Sequence, residues 1–216
     1  VSEYNGAAMS SHYFDNQTGA AYFVKANRLW LDLGIERAYY YSVIDHPYLN
    51  LEHHFCGDLG IFSHFGPIPK PAFNALALLN RLQGRRLEVT TQAEPFDALA
   101  CLDDDGTVQV IVTTFSEIAP NKYQRVPVQI EIDWSGLDKH VSEAKFAYVD
   151  SVNGNAYTEF QKAGSPLAKE RRDVGEWIEK SAFETKNLTG YSFTGDKLVI
   201  SMPMELNRVL WLKIKP

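Results

Sequence analysis

Val1-Ser2-Glu3-Tyr4-Asn5-Gly6 is a short extended stretch carrying a carboxylate, and its position directly ahead of a helix, a strand and a second helix decides the fold. Asp15-Asn16-Gln17-Thr18 offers helix-capping side chains. Ala20, Phe23, Val24, Asn27, Trp30 and Leu31 then recur at helical spacing, and Gly34 stands where such a helix stops. Arg37 to Asp45 is rich in Tyr, Val and Ile and reads as a strand. About 24 residues dense in His, Gly and aromatics come next, a loop length that usually carries function or goes with disorder. Pro69 and Pro71 introduce a second helix, with Phe73, Leu76, Ala77, Leu79 and Leu82 as its expected buried face and Gly84 as its stop. Strand, helix, strand, helix is the pattern of a β/α barrel. Residues 1–84 are therefore expected to be the last two βα units of a TIM (β/α)8 barrel, with the remainder of the barrel supplied upstream or by another chain. Chemistry in such barrels sits where strands end. Glu3, Asp45 and His46 fall at those ends.

Residues 85–216 change character and are expected to form a second domain. Ala98 to Leu102 and Val108 to Phe115 flank Asp103-Asp104-Asp105-Gly106, which reads as a hairpin turn rather than a calcium loop. Val126 to Trp134 alternates apolar and polar residues, and Phe146 to Asp150 is another short strand. Thr194-Gly195-Asp196-Lys197 turns between Tyr191-Ser192-Phe193 and Leu198-Val199-Ile200, and Arg208 to Ile214 closes the chain. Short strands at this spacing predict an antiparallel β-sandwich. One inserted helix is expected over about Leu167 to Lys180. The fold class is thus α/β plus β.

Composition excludes more than it assigns. The 216 residues carry a net charge of −6 and no basic run, which argues against nucleic acid as a partner. No stretch approaches the roughly 20 apolar residues of a membrane span. Cys56 and Cys101 fall in different segments and form neither a disulfide framework nor a zinc motif. His53, His54, Cys56 and Asp58 lack the spacing of a metal site, so they read as a polar loop, and no metal or cofactor is expected. Compartment is not written in these residues; a signal peptide on the parent would place it in the periplasm or outside the cell.

Three stretches together resemble glycoside hydrolase family 39, the group of β-xylosidases and α-L-iduronidases. Ser2-Glu3-Tyr4-Asn5 is similar to the Thr-Glu-Tyr-Asn that holds the family's nucleophile. Ile68-Pro69-Lys70-Pro71-Ala72-Phe73, with Leu79-Asn80-Arg81-Leu82, resembles its last barrel helix. Asn155-Ala156-Tyr157 and Gly164-Ser165-Pro166 resemble a segment of its sandwich domain. The resemblance implies the C-terminal portion of a retaining O-glycosidase acting on xylosides or related glycosides, as in xylan degradation, with Glu3 as nucleophile.

Retaining hydrolysis needs a second carboxyl group about 5 Å from the first. The family's acid/base Glu follows an Asn at the end of the fourth barrel strand, and that strand is not in this sequence. Glu36 lies at the entrance to a strand, and Glu52 in the long loop; neither matches the motif. The chain alone is therefore expected to be inactive. Tyr4, Asn5, Asp45, His46 and Phe62 are the candidate contacts to an oligosaccharide or glycoside. The competing reading is a non-catalytic sandwich. It would either bind carbohydrate through an exposed platform drawn from Trp134, Trp177 and Trp211, or simply buttress a barrel.

Overall fold

The computed structural model describes residues 3–6, 11–46, 52–91, 95–116, 125–137 and 139–216; Val1 and Ser2 of the opening motif lie outside them. Four helices are described: α1 (Gln17–Asp32), α2 (Pro71–Leu79), α3 (Ala156–Lys162) and α4 (Gly175–Ser181). The strands are β1 (Arg85–Arg86), β2 (Phe96–Leu102), β3 (Val108–Thr114), β4 (Arg125–Asp133), β5 (Glu143–Val149), β6 (Lys186–Asn187), β7 (Tyr191–Thr194), β8 (Lys197–Glu205) and β9 (Val209–Lys215). They form a six-stranded sheet in the order β1-β2-β3-β9-β5-β6 and a three-stranded sheet in the order β4-β8-β7, antiparallel throughout. The expected hairpin at Asp103 to Gly106 joins β2 and β3. There Asp103 N–H donates to Thr107 O, and the Asp105 carboxylate lies 2.9 Å from Lys215 Nζ.

The six-stranded sheet is covered on both faces, and its sequence explains how. Successive side chains on a strand point to opposite faces. From β3 and β9, Val110, Val112, Leu210 and Leu212 meet Trp134, Leu198, Ile200, Met202 and Met204 in the core between the sheets. On the other face Ile111, Val209 and Trp211, with Ala147 and Val149 of β5, meet Ala20, Phe23 and Val24 of α1 and Ala75 and Leu78 of α2. All seven residues of β3 are buried. A strand buried on both faces reads as a nearly continuous apolar run, as Val110-Ile111-Val112 and Val209-Leu210-Trp211-Leu212 do.

Two expectations are corrected. Leu167–Lys180 is not one helix. The insert carries two short ones, α3 and α4, packed as a third cluster of Phe55, Ile68, Tyr157, Phe160, Val174 and Trp177. Arg171 to Val174 breaks the pattern, with Val174 as the N-cap of α4 and Gly175 as its first residue. The buried face of α2 is also different. Pro71, Ala72, Asn74, Ala75 and Leu78 are covered, while Leu76 is 41% exposed. Asn74 is drawn inward because its amide donates to the carbonyls of Gly154 at 2.9 Å and Ser181 at 2.5 Å, fastening α2 to the insert.

The segments expected as barrel strands make isolated bridges rather than ladders. Tyr4 pairs with Tyr40 and Ile44 with Phe62, both in parallel, and Phe62 pairs with Pro69 in antiparallel.

Candidate active site

Tyr4 fixes the direction of its neighbours. Its N–H donates to Tyr39 O at 3.0 Å, and its carbonyl accepts from Tyr41 N–H at 3.0 Å. Its ring turns toward α1, edge-on to Trp30 at a centroid distance of 3.8 Å and to Tyr40 at 5.3 Å. Its hydroxyl accepts from the Asn27 amide at 3.2 Å. Burial pushes this phenol up to about 12. Alternation along extended backbone then turns Glu3 and Asn5 away from the helix. Glu3 is exposed. Asn5 is used by the frame: its amide donates to the carbonyls of Tyr41 and, at 3.1 Å, Leu59, and its Oδ1 accepts from Gly6 N–H at 2.7 Å. One side chain thus ties the Glu3 segment, the 39–45 segment and the long loop together.

Below them lies a fully buried ion cluster. Lys70 Nζ stands 2.7 Å from Asp15 Oδ1, donates to Asp45 Oδ1 at 2.6 Å and donates to Asp58 O at 2.9 Å. Lys70, Asp15 and Asp45 have no exposed side-chain surface. Asp45 Oδ1 also accepts from Gly60 N–H at 2.8 Å, and Cys56 Sγ lies 3.5 Å from Oδ2. Gly60 is required here, because a Cβ would stand 2.3 Å from Asp45 N. On the far side Asp15 Oδ2 accepts from Gly57 N–H at 2.7 Å and lies 2.8 Å from His12 Nδ1.

The electrostatics reflect one ammonium serving two carboxylates. Burial alone would pull Lys70 down, but Asp15 and Asp45 hold it above the usual lysine value. Burial pushes Asp45 up to about 6 despite its lysine partner. The hydrogen bond to Asp15 raises His12. Burial pushes the Cys56 thiol up to about 12, so it is no nucleophile.

The structure brings Glu3, Tyr4 and Asn5 onto one side of the 39–45 segment. Asp45 lies inside the frame. His46 is exposed, and its backbone N–H donates to Asp58 Oδ2 at 2.5 Å. Phe62 is half-buried, with its ring 4.9 Å from that of Phe73. Lys70, Asp15 and His12 escaped the sequence reading. Their one local signal was a lysine held between Pro69 and Pro71 in an otherwise apolar stretch. Among the described residues no group of three His, Cys, Asp or Glu side chains could hold a metal ion. Trp134, Trp177 and Trp211 are all buried, at 1%, 1% and 4% exposure, and offer no platform to a sugar.

No protein-family model matches the chain. It is similar to a β-xylosidase from Caldicellulosiruptor saccharolyticus, 22% identical over 163 residues, which make up 74% of this chain and 32% of that protein. Its fold is like that of a monomeric β-xylosidase from Caulobacter crescentus CB15, with a TM-score of 0.75 and 18% identity over 99% of this chain and 44% of that one. A family 39 glycoside hydrolase from Xanthomonas axonopodis pv. citri gives a TM-score of 0.73 at 16% identity, again over 99% and 44%. The chain thus spans less than half the length of these relatives. Its antiparallel sheets match the β-sandwich in the C-terminal part of such enzymes.

Proposed function

We propose that this chain is the C-terminal portion of a retaining glycoside hydrolase acting on xylosides or related glycosides, with Glu3 as its nucleophile. In this reading the 3–5 and 39–45 segments are the last two strands of a (β/α)8 barrel, and α1 and α2 are their helices. The observation that carries it is the parallel bridge between Tyr4 and Tyr40, with the carboxylate of Glu3 exposed and Tyr4 and Asn5 bound into the frame. The likeness in fold to family 39 enzymes supports the same reading.

Glu3 would attack the anomeric carbon and form a glycosyl-enzyme, which water then hydrolyses with help from a second carboxyl group. That group belongs to the earlier part of the barrel, so the chain alone does not turn over. In this reading His46 and Phe62 contact the sugar. Tyr4, Asn5 and Asp45 act through the frame, because their polar atoms are already engaged. The test is Glu3→Gln in the full-length protein with an aryl xyloside. Turnover should fall by orders of magnitude while the circular dichroism spectrum is unchanged. Wild-type enzyme should first release the sugar with its anomeric configuration retained. Substantial turnover in the variant removes Glu3 from this role.

A further inference from the structure

We propose that the cavity between the long loop and the insert binds a sugar bearing one carboxylate, a uronic acid residue, through Lys169 and Arg172. The cavity is about 400 Å³, a size that suits a small ligand, and it lies where two parts of the fold meet, a common place for such sites. Glu52, His54, Phe65 and Gly66 line it from the loop, and Lys169 and Arg172 from the insert. Glu3, Tyr4, Asn5, His46 and Phe62 do not line it, so it is a second site. Its walls are fixed by groups that take no part in its charge. Ala168 N–H donates to Glu52 O at 2.7 Å. The ring nitrogens of His54 lie 3.0 Å from Phe65 O and 2.8 Å from Arg171 O, so this side chain is a wall. Gly66, at φ of 73°, lets the loop come so close to the insert that a Cβ would stand 2.8 Å from Val174 Cγ2.

The charge on the walls names the ligand. Three cations stand in 169–172, and the fold uses Arg171, which stacks on Trp177 at 4.3 Å and pairs with Glu176 at 2.8 Å. The neighbouring acids are taken by the backbone: Glu170 Oε2 accepts from Leu167 N–H at 3.1 Å, and Asp173 Oδ1 from Gly175 N–H at 3.0 Å. Among the described residues Lys169 and Arg172 pair with no acid, and both are exposed. Two cations against the carboxylate of Glu52 leave one positive charge in excess, which matches a monoanion better than a phosphate dianion. A guanidinium grips a carboxylate with two parallel bonds, and an ammonium adds a point charge. Half-buried Phe65 offers an apolar surface to a ring, and Glu52 an acceptor to its hydroxyls. A neutral sugar would leave both cations unused. That the ring is a sugar rests on the proposed function; that the ligand is an anion rests on the cavity alone.

The test titrates the full-length protein, by calorimetry, with methyl β-D-glucuronide, with its neutral counterpart methyl β-D-glucoside, and with inorganic phosphate. The uronide should bind at least about tenfold more tightly than either, the size of one charge-assisted hydrogen bond. The double variant Lys169→Met, Arg172→Gln should lose that preference with an unchanged circular dichroism spectrum, and Glu3→Gln should keep it. Equal binding of the glucoside or of phosphate overturns the proposal, as does a preference that survives in the double variant or a uronide that gives no saturable heat. If the double variant fails to fold, hydrogen exchange decides: the uronide should slow exchange in 52–66 and 167–173, and no slowing there overturns the site. Binding is read without turnover, so the two readings fail separately. A protein that prefers the uronide but cleaves no aryl xyloside keeps this site and loses the proposed function.

Discussion

At the scale of single residues, Lys70 is the side chain on which most of the frame depends. It neutralises two carboxylates that have no access to water, and breaking a buried pair from one side leaves an uncompensated charge. Lys70→Met should therefore destabilise the protein by about 3–5 kcal/mol, read from the denaturant midpoint. Adding Asp45→Asn should recover part of the loss. The same cluster sets a pH dependence. Asp45 is raised by burial from its ordinary 3.8 to about 6, so the folded state binds more protons than the unfolded one in that window. Its contribution to stability is fully present below about 3.8 and is lost as pH rises to about 6. His12, raised from 6.5 by its bond to Asp15, acts in the same direction at higher pH. Thermal midpoints between pH 4 and 6 should accordingly slope less in Asp45→Asn than in wild type. Little of this was legible in the sequence. Asp45 stands out by its position at a strand end, but nothing local announces that Lys70, 25 residues on, buries it.

At the scale of elements, what was legible is what is decided locally. Helix α1 was readable because its cap, stripe and stop all lie within it. Asn16 accepts from Thr18 N–H at 2.8 Å, and Gly34 takes φ of 68°. Ile35 N–H then closes on Trp30 O and Gly34 N–H on Leu31 O, the pattern of a Schellman motif. A Cβ on Gly34 would meet nothing within 4 Å, so Gly34→Ala exposes the backbone cost alone. It should lower stability by about 1–2 kcal/mol, and Asn16→Ala by about 1 kcal/mol. The two losses should add in a denaturation series, because the sites are far apart. The sequence of α2 marks its limits but not its buried face, because its large apolar residues include Leu76, which is 41% exposed. The true face is set by Asn74 reaching distant carbonyls. Helices α3 and α4, seven residues each, are too short to carry a period and exist through the aromatic cluster that they share.

At the scale of the molecule, the hairpins and the antiparallel sandwich were readable from alternation and turns. The joining of its parts was not. The sequence suggests two successive units meeting near residue 84, yet α1 and α2 lie on a face of the sandwich's own sheet. Arg28 of α1 reaches Asp97 of β2 at 2.8 Å, and Asn207 reaches Thr18 at 3.2 Å. The continuous apolar runs of β3 and β9 carried this information, because a sheet facing water on one side would alternate. The sandwich is thus the floor on which the Glu3 segment is held, through Tyr4, α1 and the sheet in turn. We propose that this floor presents Glu3 as a nucleophile. It is tested most directly by treating the full-length protein with a 2-fluoro-xyloside bearing an activated leaving group, which traps the glycosyl-enzyme, and sequencing the labelled peptide by mass spectrometry. A single adduct on Glu3 is the outcome this proposal requires. An adduct on any other carboxylate, or inactivation without one, contradicts it.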